Sequence, residues 1–329
     1  MLKKNLIFVF IGMALVSVQA TASQEQAVIE FEAKNYDVAK KLFKENKDDA
    51  QSQYYLALID IEAGELEDAE EWLESALEQD DTNADYHYQF GWVNMRLAAS
   101  ASMLSAPFYA STAKESLKKA LKLQPEHTKA LIALSQFYIF APSIAGGSFE
   151  KASELLVRLR ALDKIEADLL YLQMARQQED KDKQIVMAKQ IEQEHAESAR
   201  ALLSAGFVMQ QQERYEDAFR MFKVASQQAP KDEQDSSIAS ALYQMGKTAV
   251  LSEAYLGEGA KALNMYLSLE KGPKWNNLPT KGWARFRLAQ VAAKQGDKPK
   301  ALSLIDLASK DNDDDDLKKE LKALKKELS

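Results

Sequence analysis

One spacing between small residues recurs along the chain, and it limits the possible folds more than any other feature. Three segments carry a small residue followed twelve positions later by an alanine; the pairs are Ala57 and Ala69, Gly206 and Ala218, and Ala289 and Ala301. A bulky apolar residue then stands four positions after the alanine, and another alanine stands seven positions after it. Such positions share one face of a helix. The spacing therefore predicts two antiparallel helices, joined by a short turn, whose small residues let the backbones approach closely.

The composition favours a chain built of helices alone. Only 12 glycines and 7 prolines occur in 329 residues, and residue types that favour helices dominate. No segment alternates apolar and polar residues in a β-branched run, so no sheet is predicted. Gly64 and Gly296 stand where turns are needed, and Glu67 and Asp68 follow one turn near the positive end of the next helix dipole.

These positions resemble the tetratricopeptide repeat, a helix–turn–helix unit of about 34 residues. The matching residues are Leu56, Ala57, Ala69 and Ala76; Phe90, Gly91, Ala113, Ala120 and Pro125; Gly206, Tyr215, Ala218, Phe222, Ala225 and Pro230; and Leu288, Ala289, Gly296 and Ala301. The resemblance implies an all-α solenoid of about 7–8 helix pairs over residues 23–310. A seam is possible near residues 160–182, where the chain becomes strongly polar.

The C-terminal residues 311–329 are expected to form an acidic turn and a helix that caps the array. The four leucines of this segment fall on one helical face; they are Leu317, Leu321, Leu324 and Leu328. The lysines fall mostly on the other faces, as required of a terminal element with a polar outer surface.

Two repeats carry insertions. Gly91 and Ala113 are 22 residues apart, ten more than the regular spacing, which places extra residues in the segment 97–112. The second insertion reads APSIAGGSF; its Pro142 should end a helix, its glycines should bend the loop, and Ser148 should cap the next helix. Because insertions into repeats often lie on a binding face, the 97–112 segment is one candidate binding surface.

Residues 1–22 have the order of a secretory signal peptide. Lys3 and Lys4 precede a thirteen-residue apolar run from Leu6 to Val18, and small residues follow. The run is shorter than the roughly 20 residues that span a bilayer, so we expect cleavage after Ala20 or Ala22, the alternative being an uncleaved anchor. If the source is Gram-negative, the mature protein would be periplasmic and would have no membrane span.

The charge and the cysteine content exclude several classes of site. The formal net charge is −8, and removal of the two N-terminal lysines makes it −10; nucleic acid and anionic membranes are therefore poor partners. The chain has no cysteine, which excludes disulfides, thiolate metal sites and a lipid-modified cysteine.

No pattern of catalytic residues stands out. The segment ALYQMGKT, residues 241–248, approaches a phosphate-binding loop, but its periodicity is helical, so Gly246 is better explained as a close-packing residue. The histidines, His87, His127 and His195, lie in different repeats without ligand partners four residues on, and structural roles are expected for them. The acidic run at 311–322 lacks the glycine and the final glutamate of a calcium loop. We therefore expect no enzyme activity, no metal and no cofactor.

The resemblance implies that the first helices of successive units line a concave groove. Applied to this sequence, the register selects ten candidate groove residues: Tyr54, Tyr88, Trp92, Met95, Arg96, Phe207, Tyr243, Lys247, Phe286 and Arg287. Aromatic residues and arginine are effective interface anchors. The leading hypothesis is thus a non-catalytic scaffold of the cell envelope that binds an unknown protein or peptide. The alternatives are a structural homodimer, and a carrier or accessory subunit that binds a small ligand or a glycan; the protein itself would be a monomer or a homodimer.

Overall fold

The computed structural model describes residues 23–230, 235–269, 278–310 and 314–329, which form seventeen α-helices, one short 3₁₀ turn and no strand. The signal peptide predicted at 1–22 and the start of the acidic turn at 311–313 lie outside the described residues. The helices are α1 (23–32), α2 (Tyr36–Glu45), α3 (Ala50–Ala63), α4 (Leu66–Gln79), α5 (Ala84–Ser100), α6 (Ala106–Leu123), α7 (Thr128–Phe140), α8 (Phe149–Leu162), α9 (Lys164–Gln177), α10 (Lys181–Glu194), α11 (Ala199–Gln211), α12 (Tyr215–Ser226), α13 (Ser237–Ser252), α14 (Leu256–Ser268), α15 (Lys281–Lys294), α16 (Lys298–Lys310) and α17 (Asp315–Glu327). None of the described helices has the length and apolar character needed to cross a membrane.

The tertiary contacts divide the chain into two compact units, Met1–Lys164 and Ile165–Ser329. In the first unit, α3 packs on α4, α5 on α6, and α7 on α8; in the second, α11 packs on α12, α13 on α14, and α15 on α16. First helices of neighbouring pairs also touch, as α5 does with α7 and α11 with α13. Within each unit, the described residues therefore form the all-α succession of helix pairs that the spacing predicts.

Three glycines show why the pairs close so tightly. A Cβ added to Gly91 would lie 2.7 Å from Leu117 Cγ, and one added to Gly206 would lie 2.5 Å from a ring carbon of Phe222. At Gly246 the distance to Leu263 Cγ would be only 2.2 Å. Each glycine of a first helix thus accommodates a bulky residue of its second helix, which confirms the packing interpretation of Gly246.

The turns and caps follow the sequence closely. Gly64 ends α3 in the left-handed region with φ of 88°, a conformation that glycine adopts without steric cost. Helix α7 ends at Phe140, two residues before Pro142, and the Ser148 side chain accepts a hydrogen bond from the Lys151 backbone N–H at the start of α8. The expectations for Pro142 and Ser148 are confirmed.

The first insertion lengthens two helices instead of forming a long loop. Helix α5 has 17 residues and α6 has 18, and only residues 101–105 connect them. In the second insertion, a 3₁₀ turn at Ser143–Ala145 is followed by Gly146 with φ of 100°. Both insertions belong to the first unit.

Helix α17 covers the end of the second unit. Leu317, Leu321 and Leu324 are buried against Phe286 of α15 and Ile305 of α16. The Asp314 side chain caps α17 by accepting hydrogen bonds from the backbone N–H groups of residues 316 and 317. The leucine face therefore packs as predicted for a capping helix.

Candidate functional site

Three successive first helices of the second unit border an open cleft of about 650 Å³. The lining residues are Leu169, Leu172, Gln173 and Arg176 of α9; Arg200, Ser204, Phe207, Gln210 and Gln211 of α11; and Lys247 and Leu251 of α13. Two candidates selected from the sequence, Phe207 and Lys247, thus lie in one cleft. We call this surface the cationic cleft.

The helical repeat aligns the cleft residues along α11. Arg200, Ser204, Phe207 and Gln211 are separated by four, three and four positions, so they share one face of the helix. Ser198 caps the start of this helix, since its side chain accepts a hydrogen bond from the Ala201 backbone N–H. The orientation of α11 therefore presents this face to the cleft as a row.

The cleft is cationic although the chain is acidic. Arg176, Arg200 and Lys247 line it, and none of its lining residues is acidic. Arg200 forms an ion pair of 2.5 Å with Glu166, which offsets one of the three positive charges. Burial lowers the pKa of Lys247, and the nearby positive charge of Arg287 lowers it further. The cleft accordingly holds a lysine whose charge has lost part of its hydration.

Amides and an aromatic ring complete the cleft. The Gln210 side-chain amide donates to Thr248 Oγ1 at 2.7 Å, and this hydroxyl donates to the Gln244 backbone carbonyl at 2.7 Å. Phe207 is 37% exposed and makes an edge contact with Phe222, with ring centroids 5.7 Å apart. Its ring therefore has one packed edge and one surface open to a ligand.

Two residues selected as groove candidates are core residues instead. Tyr243 is 5% exposed and packs against Tyr266 of α14, while Phe286 is 1% exposed and is covered by the leucines of α17. The register from the family places both on an inward face, but the neighbouring helices α14 and α17 close over them. Arg287, beside Phe286, lies over the rings of Trp283 and Phe286 at 5.8 Å and 5.3 Å.

The five candidates in the first unit fall into two groups. Tyr54 and Tyr88 are half-buried in aromatic contacts: Tyr54 stacks on Tyr86 at 4.9 Å, and the Tyr88 ring lies 5.1 Å from that of His127. Burial is the main reason that the pKa values of both tyrosines are raised, and Asp85 contributes. The second group, Trp92, Met95 and Arg96, lies further along α5. Arg96 sits 5.0 Å above the Trp92 ring, and Met95 and Arg96 line an apolar pocket near the insertions.

Two of the histidines, His127 and His195, are buried beside aspartates of other helices. His127 Nδ1 accepts a hydrogen bond from the Ala130 backbone N–H, and its Nε2 lies 3.0 Å from a carboxylate oxygen of Asp85. His195 Nε2 lies 2.8 Å from Asp168 within the buried part of the second unit. Glu194 stands near enough to Asp168 and His195 for three ligand atoms to lie within 4.8 Å of one another. In the sequence, only residues four positions after each histidine were considered as partners. Asp85 and Asp168 lie on other helices, so that criterion did not find them.

Sequence reasoning also missed Arg176 and Arg200, the two cleft arginines. Arg200 could have been found, because it stands seven positions before Phe207 on the same helix face. Arg176 could not, because its place beside α11 depends on how the first helices of neighbouring repeats pack together.

Residues 30–88 match the sequence model of the tetratricopeptide repeat, and no curated protein matches the chain. Among solved structures, a thermophilic tetratricopeptide repeat protein of Thermus thermophilus has 19% identity and a TM-score of 0.44, over 68% of this chain and 98% of that one. A tetratricopeptide repeat protein of Parabacteroides merdae has 13% identity and a TM-score of 0.45, over 93% and 98%. Yeast Tom70 has 12% identity and a TM-score of 0.38, over 94% and 96%. Residues 30–88 thus match the tetratricopeptide repeat, and the described helix pairs outside that range repeat the same helix–turn–helix arrangement.

Proposed function

We propose that this protein is a non-catalytic scaffold that binds an acidic segment of a protein partner in the cationic cleft. The observation that carries the proposal is that Arg176, Arg200 and Lys247 line the same cleft as the partly exposed ring of Phe207. Such a combination provides both an aromatic anchor and charge complementarity for an extended segment.

The lining side chains suit a carboxylate-bearing ligand. Arginine donates paired hydrogen bonds to a carboxylate, and lysine adds a point charge. Gln173 and Gln211 add amide donors and acceptors along the same surface. No lining residue is acidic, so the cleft presents mainly positive charge to an acidic partner, although Glu166 pairs with Arg200.

The same residues argue against acid–base catalysis in the cleft. A lysine with a lowered pKa is a recognised nucleophile or base, but its titratable neighbours at this site are arginines, which do not exchange protons near neutral pH. Burial lowers the pKa of Lys247 because it removes water from the ammonium group, and a bound anion would offset that loss of hydration.

Site-specific photo-crosslinking in the native host tests the proposal. A photoreactive residue at Phe207 is expected to give a discrete adduct, and mass spectrometry of the adduct would identify a partner with an acidic contact segment. The matched control places the photoreactive residue at Val186, an exposed apolar position of α10 outside the cleft. Adducts only at twice the protein's own mass would support the homodimer instead.

Charge reversal tests the electrostatic part. The double variant Arg176→Glu/Lys247→Glu should lose the Phe207 adduct and weaken partner binding by roughly a hundredfold or more. The control Lys189→Glu/Lys223→Glu makes the same change in net charge on α10 and α12, away from the cleft, and should retain binding. Equal losses from both variants would show that overall charge, not the cleft, governs binding.

We also propose that residues 1–22 export the protein to the periplasm. The support is the order of charged, apolar and small residues in this segment. Cell fractionation of the native host should find the full-length gene product in the periplasm with an N-terminus near residue 21 or 23. Recovery of an uncleaved chain from the membrane fraction would favour the anchor.

A further inference from the structure

The two insertions of the first unit meet around an apolar pocket of about 680 Å³. Its walls include Met95 and Ala99 of α5, Met103 of the connecting turn, Phe137 and Phe140 of α7, and Ile144 of the 3₁₀ turn. Sequence repeats of regular length would supply neither turn, so the pocket is a product of the insertions. We call it the insertion pocket.

Hydrogen bonds order both insertion turns. In the first, the Ser102 and Ser105 hydroxyls lie 2.8 Å apart, and the Ser105 backbone N–H donates to the Ser102 carbonyl. In the second, the Gly147 N–H donates to the Pro142 carbonyl, and the Ser148 N–H donates to the Tyr138 carbonyl. A Cβ at Gly147 would lie 1.9 Å from the Ala141 carbonyl oxygen, so only glycine permits this tight return. A ligand therefore meets walls that are already formed, which reduces the entropy cost of binding.

The apolar side chains around the pocket are unusually exposed. Met103 is 92% exposed, Ile144 is 98% exposed and Phe140 is 50% exposed. Leu104 and Phe108, close in sequence to the first turn, are 94% and 67% exposed. Exposed apolar residues concentrated in one part of a surface are a feature of ligand-binding grooves and other interaction sites.

The charge at the pocket has one sign. Arg96 is the charged residue among the lining side chains, and no lining residue is acidic. The pocket thus combines a wide apolar surface with positive charge at its border.

We infer that the insertion pocket binds an amphiphilic carboxylate, with the alkyl chain between the two insertion turns and the carboxylate at Arg96. The volume falls within the range typical of small-molecule sites, about 300–1,000 Å³. The walls offer almost no hydrogen-bonding side chains beyond Arg96 and Gln136, whereas a protein partner usually brings about one hydrogen bond per 100–200 Å². An unbranched alkyl chain needs none, and its single anionic end matches the single cationic border.

Calorimetric titration of the whole protein with dodecanoate, below its micelle concentration, tests this assignment. Saturable binding with one site is expected, and decanoate should bind roughly fifteenfold more weakly, because each buried CH₂ contributes about fourfold in affinity. A cationic amphiphile of the same chain length, dodecyltrimethylammonium, should bind at least about tenfold more weakly than dodecanoate, since it faces Arg96. Absence of binding by dodecanoate, or equal binding of the two amphiphiles, would overturn the assignment.

Two variants locate the ligand. Ala99→Trp fills the pocket from an exposed position of α5, and Met103→Asp places a negative charge on its wall; each should weaken dodecanoate binding by about tenfold or more. The control Val157→Asp alters an exposed apolar residue of α8 outside the pocket, 65% exposed, and should bind like the wild type. Arg96→Gln should abolish the preference for dodecanoate over the cationic amphiphile. Unchanged binding by Ala99→Trp and Met103→Asp would place the ligand elsewhere and contradict the inference.

This site and the cationic cleft belong to different units, so their tests are independent. Loss of the Phe207 adduct leaves the dodecanoate titration unaffected, and failure of the titration leaves the partner proposal standing.

Discussion

At the scale of single residues, the packing glycines explain the tight closure of each helix pair. Gly91, Gly206 and Gly246 each occupy a place where a methyl group would enter a neighbouring side chain. The sequence spacing predicts a small residue at each of these positions. The structure shows which bulky side chain packs against it.

Gly246→Ala should destabilise the second unit. The added Cβ would lie 2.2 Å from Leu263 Cγ and 2.5 Å from Leu263 Cδ1, so we expect a loss of about 1–3 kcal/mol in the free energy of unfolding from overpacking. Urea denaturation measures the change. Gly257→Ala is the control, because no heavy atom lies within 4 Å of its added Cβ, and it should be neutral or stabilising by about 0.4–1 kcal/mol. Equal effects would mean that backbone entropy, not steric overlap, dominates at both sites.

Lys247→Met should raise stability at neutral pH. The folded state lowers the pKa of Lys247 through burial and the Arg287 charge, so at neutral pH folding disfavours its protonated form. Between the lowered pKa of the folded state and the ordinary lysine value of 10.5, the unfolded chain binds more protons than the folded one. The free energy of unfolding of the wild type therefore rises with pH over that interval.

Urea denaturation at about pH 7 and about pH 9.5 tests this sign. The advantage of Lys247→Met over the wild type should shrink at the higher pH, whereas Lys189→Met, at an exposed position of α10, should show no such trend. An advantage that grows with pH would contradict the assigned direction of the pKa shift.

At the scale of elements, the capping helix α17 seals the last helix pair. Leu321 is 4% exposed and belongs to the same buried cluster as Phe286, Ile305 and Leu317. The Trp283 indole N–H also donates to the Asp314 carboxylate at 2.7 Å, which fixes the start of the helix against α15. The backbone N–H of Leu317, followed by the Trp283 indole, holds the pKa of the Asp314 carboxyl below its usual range.

Leu321→Ala should lower the free energy of unfolding by about 2–5 kcal/mol, because it leaves a cavity at the centre of this cluster. The neighbouring Lys322→Ala alters an exposed residue of the same helix and should change stability by less than about 0.5 kcal/mol. Urea denaturation of both variants is the measurement. Similar small effects in both would show that α17 contributes little to the folded unit.

Helix α17 itself could be predicted from the sequence, since its leucines recur at helical spacing and its cap residue is an aspartate. The residues that α17 covers could not be predicted. Phe286 was selected as a groove residue, yet α17 buries it, because a helix that begins 29 positions later in the chain returns to pack there.

At the scale of the whole molecule, the chain consists of two compact units with their own contacts. Stability in repeat proteins is approximately a sum of unit terms and nearest-neighbour terms. A local defect should therefore remain local.

Hydrogen exchange of the Gly246→Ala variant tests this expectation. Amides of helices in residues 165–329 should exchange faster than in the wild type, and those in residues 23–164 should keep their rates. Equal acceleration in both ranges would mean that the two units unfold as one cooperative body.

The sequence by itself determined the helix pairs, their turns and their caps, because these depend on residues close together in the chain. Small residues twelve positions apart, a glycine at a left-handed turn and a serine at a helix start each act within one repeat. Only the tertiary structure decided which faces stay open. Arg176, Arg200 and Lys247 line one cleft because three separate helices border it, and Tyr243 and Phe286 are closed off by helices that follow them. The burial of a side chain is set by neighbours distant in sequence, which a local spacing does not specify.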